Sequence, residues 1–133
     1  MIANIMKKVL IIEDYSTIRT LLINLLELKG YQGIEAANGR EGLELAIKYK
    51  PDLIISDLHM PNKSGISLLR NIKERGLTVP VIVLSSDDST DAQLEILKMG
   101  AHAIVAKTSD PRILFAWIYR LIGVSRSPES LVV

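Results

Sequence analysis

Short apolar runs alternate with longer amphipathic segments along this chain, and that alternation predicts its architecture. The run Val9-Leu10-Ile11-Ile12 is continuous and ends in Glu13-Asp14. An unbroken apolar run of that length reads as a strand buried on both faces. From 16 to 29, Ile18, Leu21, Leu22, Leu25 and Leu26 fall at helical spacing, and Gly30 is the stop. A weaker strand is expected over 33–37, then a helix from Gly39 or Arg40 to Tyr49 carrying Leu43, Ala46 and Ile47. Pro51-Asp52 opens the run Leu53-Ile54-Ile55-Ser56, which ends at Asp57. Ser64 can cap a helix through Arg75 built on Ile66, Leu68, Leu69 and Ile72. Val81-Ile82-Val83-Leu84 follows Pro80 and ends at Ser85-Ser86. Ser89 can cap the next helix, which carries Leu94, Ile96 and Leu97 and stops at Gly100. The last strand, Ala103-Ile104-Val105-Ala106, ends at Lys107. Asp110-Pro111 then pairs a capping side chain with proline at the first helical position, opening a helix to about Ile122.

Five strand–helix units in a row predict an α/β fold: a parallel, doubly wound sheet with helices on both faces. The length of 133 residues gives room for one domain, expected over 1–124. The remainder, SRSPESLVV from Ser125 to Val133, reads as a frayed tail. Too short for a helix-turn-helix module, it gives no sign of a DNA-binding element. A net charge of +1 gives no reason to expect nucleic acid or an anionic membrane as partner. The absence of cysteine removes disulfides, thiolate metal sites and cysteine nucleophiles. The start, MIANIMKK, lacks the apolar stretch of a secretory signal, and no run approaches the roughly 18 apolar residues of a membrane span. A cytoplasmic domain is therefore expected.

In open parallel sheets, ligands bind beyond the carboxyl ends of the strands. Here those ends read Glu13-Asp14, Asp57, Ser85 and Lys107, so the fold would gather three carboxylates, a hydroxyl and an ammonium at one rim. Crowded carboxylates repel and call for a cation. Oxygen donors without cysteine or histidine side chains favour a hard ion, magnesium before zinc. Magnesium also suits phosphate oxygens, and a carboxylate can itself be a phosphoryl acceptor. Lys107 and Ser85 would then meet the charge of the transferred group.

The stretches VLIIED (9–14), DLIISDLHMPNKSG (52–65), VPVIVLSS (79–86) and GAHAIVAK (100–107) resemble the receiver domains of two-component signalling, over residues 7–122. The resemblance implies a flavodoxin-like sheet of order 2-1-3-4-5 and a Mg²⁺-dependent phosphorylation switch fed by a sensor histidine kinase or phosphotransfer protein. It implies Asp57 as phosphoacceptor and Asp14 and Asp57 as direct metal ligands. Glu13 would act through a metal-bound water, and the backbone carbonyl of His59 would be a further ligand. Ser85 and Lys107 would bind the phosphoryl group, with Met60-Pro61 and Gly65 shaping the loop after the acceptor. Two positions depart from the family pattern. Thr108 stands where proline usually follows the lysine, so a cis bond there would cost about 2.5–4 kcal/mol. Ile104 occupies the usual aromatic switch position, so the readout of phosphorylation is expected to differ.

Competing readings are weaker on the residues. An isolated strand-end Asp commonly caps a helix, and a strand-end Ser commonly makes a turn; the joint placement with Lys107 argues against both. A haloacid-dehalogenase-type phosphatase would carry a second Asp two residues after its nucleophile, where this chain has His59. A flavin site of flavodoxin type would meet repulsion from Glu13-Asp14. A receiver-like scaffold without a switch is the remaining alternative. On the last helix, Leu114, Trp117, Ile118 and Leu121 form a core-facing stripe, while Phe115, Tyr119 and Ile122 form a second. That second stripe is either covered by loops or is a surface for a homodimer or an output domain.

Overall fold

A computed structural model of the chain describes residues 6–57, 65–86 and 90–125, apart from the side chains of 65, 66, 90 and 92. The described elements alternate as expected: β1 (Lys8–Ile12), α1 (Ser16–Leu28), β2 (Gln32–Ala36), α2 (Gly39–Tyr49), β3 (Leu53–Asp57), α3 (Gly65–Glu74), β4 (Val81–Ser85), α4 (Thr90–Lys98), β5 (Ala103–Ala106) and α5 (Pro111–Ile122). All strand pairs are parallel and the order is β2-β1-β3-β4-β5. The proposed caps Ser64 and Ser89 lie outside the described residues, as do His59, Met60 and Pro61.

Side chains alternate between the two faces of a strand, and each face here meets its own helices. Val9, Ile11, Leu53, Ile55, Ile82 and Leu84 pack with α1 and α5 through Ile23, Leu26, Leu114 and Ile118. Leu10, Ile12, Ile54, Val81 and Val83 pack with α2, α3 and α4 through Leu43, Ala46, Leu68, Leu69, Ile72 and Ile96. The central strands β3 and β4 are buried along their whole length, which is why their sequences are unbroken apolar runs. Gly42 lets α2 lie against β1, because a Cβ there would sit 2.7 Å from Ile12 Cγ1.

The helix ends follow from local chemistry. Asn38 Oδ1 accepts from Glu41 N–H at 2.9 Å while Glu41 Oε2 accepts from Ala37 N–H at 3.1 Å, so α2 begins with a reciprocal cap. It ends where Lys50 turns left-handed (φ 48°) just before Pro51. Asp110 caps α5 through Arg112 N–H at 2.9 Å, with Pro111 in the first turn, as the sequence predicts.

Five expectations need correction. The buried face of α1 is Ile23 and Leu26, with Leu22 partly covered, whereas Ile18 and Leu21 are exposed. On α4 only Ile96 of the three expected positions is buried, and on α2 Ile47 is exposed. The second stripe of α5 is not a continuous surface: Phe115 and Ile122 pack against the core, leaving Tyr119 at 61% exposure. Ser125 is not frayed. It is buried, its hydroxyl donates to Gly30 C=O at 2.6 Å and accepts from Lys7 N–H at 2.6 Å. Beside it, Tyr31 OH donates to Gly123 C=O at 2.7 Å, so the exit of α5 is tied to the starts of β1 and β2. No helix among the described residues is long and apolar enough to cross a membrane.

Candidate functional site

The register of the sheet places the predicted polar residues together. Ile12 pairs with Ser56, Asp57 with Leu84 and Ser85 with Ala106, so the residues that end β1, β3, β4 and β5 share one rim. Asp57 and Ser85 are the last residues of their strands and both are buried. Glu13 and Asp14 follow β1 directly, and Lys107 follows β5.

Each carboxylate of Glu13, Asp14 and Asp57 offers an oxygen within 4.8 Å of the other two. Lys107 Nζ reaches into this group, 2.9 Å from Asp57 Oδ2 and 3.4 Å from Glu13 Oε2. Glu13 is fully buried, and Asp57 is 3% exposed. Burial pushes the Glu13 carboxyl above its ordinary range, and the Asp57 charge pushes it further, against the opposing pull of Lys107. For Lys107, burial favours losing the proton. The hydrogen bond to Asp57 and the charges of Glu13 and Asp57 outweigh this and hold the ammonium above its usual value.

The site also carries a deficit that a cation would fill. Asp14 Oδ1 is buried and accepts no hydrogen bond, and Glu13 Oε2 faces only the shared Lys107 ammonium at 3.4 Å. Buried carboxylate oxygens with too few donors are costly unless a charge compensates them. The donor set is all oxygen, the preference of Mg²⁺ rather than of a soft metal. The side chains of Glu13, Asp14 and Asp57 thus fit a hard divalent ion, and one lysine alone leaves the three carboxylates under-neutralised. The fourth expected ligand, the His59 carbonyl, lies outside the described residues.

The loop after Lys107 is built without proline. The Lys107–Thr108 bond is trans, as are the other described peptide bonds. Ser109 closes the turn instead, its N–H and hydroxyl both donating to Ala106 C=O at 3.1 and 2.6 Å. Ile104 is half-buried against the α2–α4 side of the core. His102 precedes β5 at the end of the sheet away from this rim, where its Nδ1 accepts from Val81 N–H at 3.1 Å.

Sequence reasoning missed one residue at the edge of the site. Arg19 on α1 donates from Nη1 to the Glu13 carbonyl at 2.6 Å and from Nε to Glu35 Oε1 on β2 at 3.2 Å. The only signal available was a cation one turn into the helix that follows an acidic pair.

The family model described as the response regulator receiver domain matches residues 9–119. The chain is 37% identical over 112 residues to the phosphate regulon transcriptional regulatory protein PhoB of Pseudomonas aeruginosa, covering 83% of this chain and 49% of that protein. It is 34% identical over 104 residues to sporulation initiation phosphotransferase F of Bacillus subtilis, covering 78% of this chain and 84% of that one. Among solved structures, the receiver domain of the Francisella response regulator 1452 superposes with a TM-score of 0.84 at 32% identity, covering 87% of this chain and 96% of the other. The chain therefore spans about half the length of the first of these relatives and most of the second.

Proposed function

Since the chain belongs to the response regulator receiver domain family, we propose that it is a Mg²⁺-dependent phosphorylation switch that accepts a phosphoryl group on Asp57. One observation carries the reading: the carboxylates of Glu13, Asp14 and Asp57 converge, with Lys107 Nζ 2.9 Å from the acceptor. The donor is a sensor histidine kinase or a phosphotransfer protein. An Asp57 carboxylate oxygen attacks phosphorus as the phosphorus–nitrogen bond of a phosphohistidine breaks, and the freed imidazole leaves with its electron pair and takes up a proton. The Lys107 ammonium lies 2.9 Å from the acceptor carboxylate. After transfer the same ammonium stands beside the new negative charge on the phosphoryl oxygens, and the Ser85 hydroxyl, at the end of β4 between the two strands, is a further donor to them. Asp14 and Asp57, with Glu13, would hold Mg²⁺, which supplies positive charge to the reacting phosphoryl oxygens.

The domain acts as a signalling element in the cytoplasm and not as a turnover enzyme. Transfer biases an equilibrium between two surfaces. With Ile104 in place of an aromatic ring, that bias runs through the packing of a stiff β-branched side chain. The exposed part of α5 around Tyr119 is the surface we assign to a second copy or an output domain.

Intact-protein mass after incubation with acetyl phosphate and Mg²⁺ tests the core of this. A single phosphoryl adduct on the wild type, lost in Asp57→Asn and without metal, is the expected result. No adduct on the wild type from either acetyl phosphate or a panel of phosphorylated histidine phosphotransfer domains would leave the chain as a non-switching scaffold.

A further inference from the structure

The backbone on either side of the Glu13–Asp14 peptide, and the carbonyl of that peptide, are held by hydrogen bonds. Glu13 N–H donates to Ala36 C=O at the end of β2, at 3.1 Å. Its carbonyl accepts from Arg19 Nη1 at 2.6 Å. Tyr15 N–H donates to Glu13 Oε1 at 3.3 Å, and Tyr15 C=O accepts from Arg19 N–H at 2.9 Å. Arg19 thus grips the turn twice, once through its backbone and once through its side chain. Its Nε is fixed in turn by Glu35 at 3.2 Å, and the side chain is only 18% exposed.

This arrangement has a direct geometric consequence. Successive carboxylates on one chain point apart unless the peptide between them is fixed. Rotating the Glu13 carbonyl away from Arg19 would swing Asp14 relative to Glu13 and separate oxygens that now lie within 4.8 Å of each other and of Asp57. The planar guanidinium can hold the Glu13 carbonyl and the Glu35 carboxylate together, which a lysine's point charge does less well. Electrostatics alone predicts the opposite role. A cation beside a cation site weakens it, although here Glu35 already offsets the Arg19 charge.

We infer that Arg19 is a positioning residue. It orients the Glu13–Asp14 peptide so that both carboxylates face Asp57, and so raises the site's affinity for a divalent cation while touching neither the ion nor the phosphoryl group. The inference rests on the reading of the three carboxylates as a Mg²⁺ site. Groups behind the direct ligands commonly change metal affinity by about 10–100-fold.

Calorimetric titration of Mg²⁺ into the metal-free protein tests it. Arg19→Met should weaken binding about tenfold, and Arg19→Lys by a smaller, severalfold amount. In metal-free Arg19→Met, amide exchange at Glu13 and Tyr15 should rise while the interior of β4 stays protected. If charge governs, Arg19→Met binds as tightly as wild type or tighter and Arg19→Lys is unchanged; either result overturns the inference. Should Arg19→Met fail to fold, Arg19→Lys at wild-type affinity is sufficient to overturn it. Wild-type protein that takes up no Mg²⁺ would instead overturn the reading of the site itself, and the inference with it.

Discussion

Replacing Lys107 with methionine isolates the cost of leaving the acidic site without its counter-charge. Methionine keeps most of the apolar stem and removes only the ammonium. In the wild type that ammonium lies 2.9 Å from Asp57 Oδ2 and 3.4 Å from Glu13 Oε2, and both carboxylates are buried. Removing one partner of a buried pair typically costs about 3–5 kcal/mol, because a charge is left uncompensated. The lysine side chain is 23% exposed, so solvent already screens part of the interaction and about 3 kcal/mol is the reasonable figure at neutral pH. The protein can escape this cost by taking up a proton. Burial and Asp57 already hold the Glu13 carboxyl above its ordinary range, and losing Lys107 removes the main opposing pull. A carboxyl whose folded value is raised contributes stability that is complete below its unfolded value and is lost as pH rises through the folded value. The variant should therefore lose stability as pH rises above the ordinary glutamate range, and Mg²⁺ should restore much of it. Urea denaturation at pH 5 and pH 8, with and without Mg²⁺, reads these differences. A penalty below about 0.5 kcal/mol at pH 8, or one identical at pH 5 and pH 8, would refute the reasoning, since exposed pairs are worth no more than that.

Other parts of the fold give independent predictions. Gly42→Val should cost about 1–3 kcal/mol in urea denaturation, because any Cβ there presses on Ile12; a wild-type midpoint would show that α2 can move aside freely. Tyr31→Phe removes a hydrogen bond to Gly123 and should cost about 1 kcal/mol below pH 10. Burial and the neighbouring Tyr119 raise the Tyr31 hydroxyl, so this contribution is complete below the ordinary tyrosine value and fades as pH climbs through the folded one; thermal melts of the two proteins should converge at high pH. Ser125→Ala strands Lys7 N–H and Gly30 C=O and should cost about 1–3 kcal/mol, with faster amide exchange at Lys7 as the local sign. Tyr119→Glu should weaken any self-association through α5, and an unchanged sedimentation profile in a self-associating sample would remove that surface from consideration.

The sheet was legible because burial on both faces writes itself as unbroken apolar runs, and the rim was legible because each run stops at a charged or hydroxyl residue. Glu13, Asp14, Asp57, Ser85 and Lys107 needed only the rule that parallel strands end together. The phase of α1 was not legible. Its sequence is apolar at Ile18, Leu21, Leu22, Ile23, Leu25, Leu26 and Leu28, more than one face's worth, so spacing alone does not choose between them. Ser125 was misjudged because a polar, proline-containing neighbourhood resembles a loose end, and its partners, a backbone N–H and a backbone carbonyl far away in sequence, leave no trace in composition. Arg19 was invisible for the same reason: its key contact is a carbonyl, which every residue has.

The carboxylates and their lysine have no local precursor. Glu13, Asp57 and Lys107 stand at the ends of three strands that become neighbours only when the sheet closes through β4. On the ribosome, Lys107 emerges last, after both acidic strands. A nascent chain therefore holds two acidic termini without the ammonium that neutralises them, and without β5 to close the rim. The rim is therefore complete only once translation has passed β5 and Lys107.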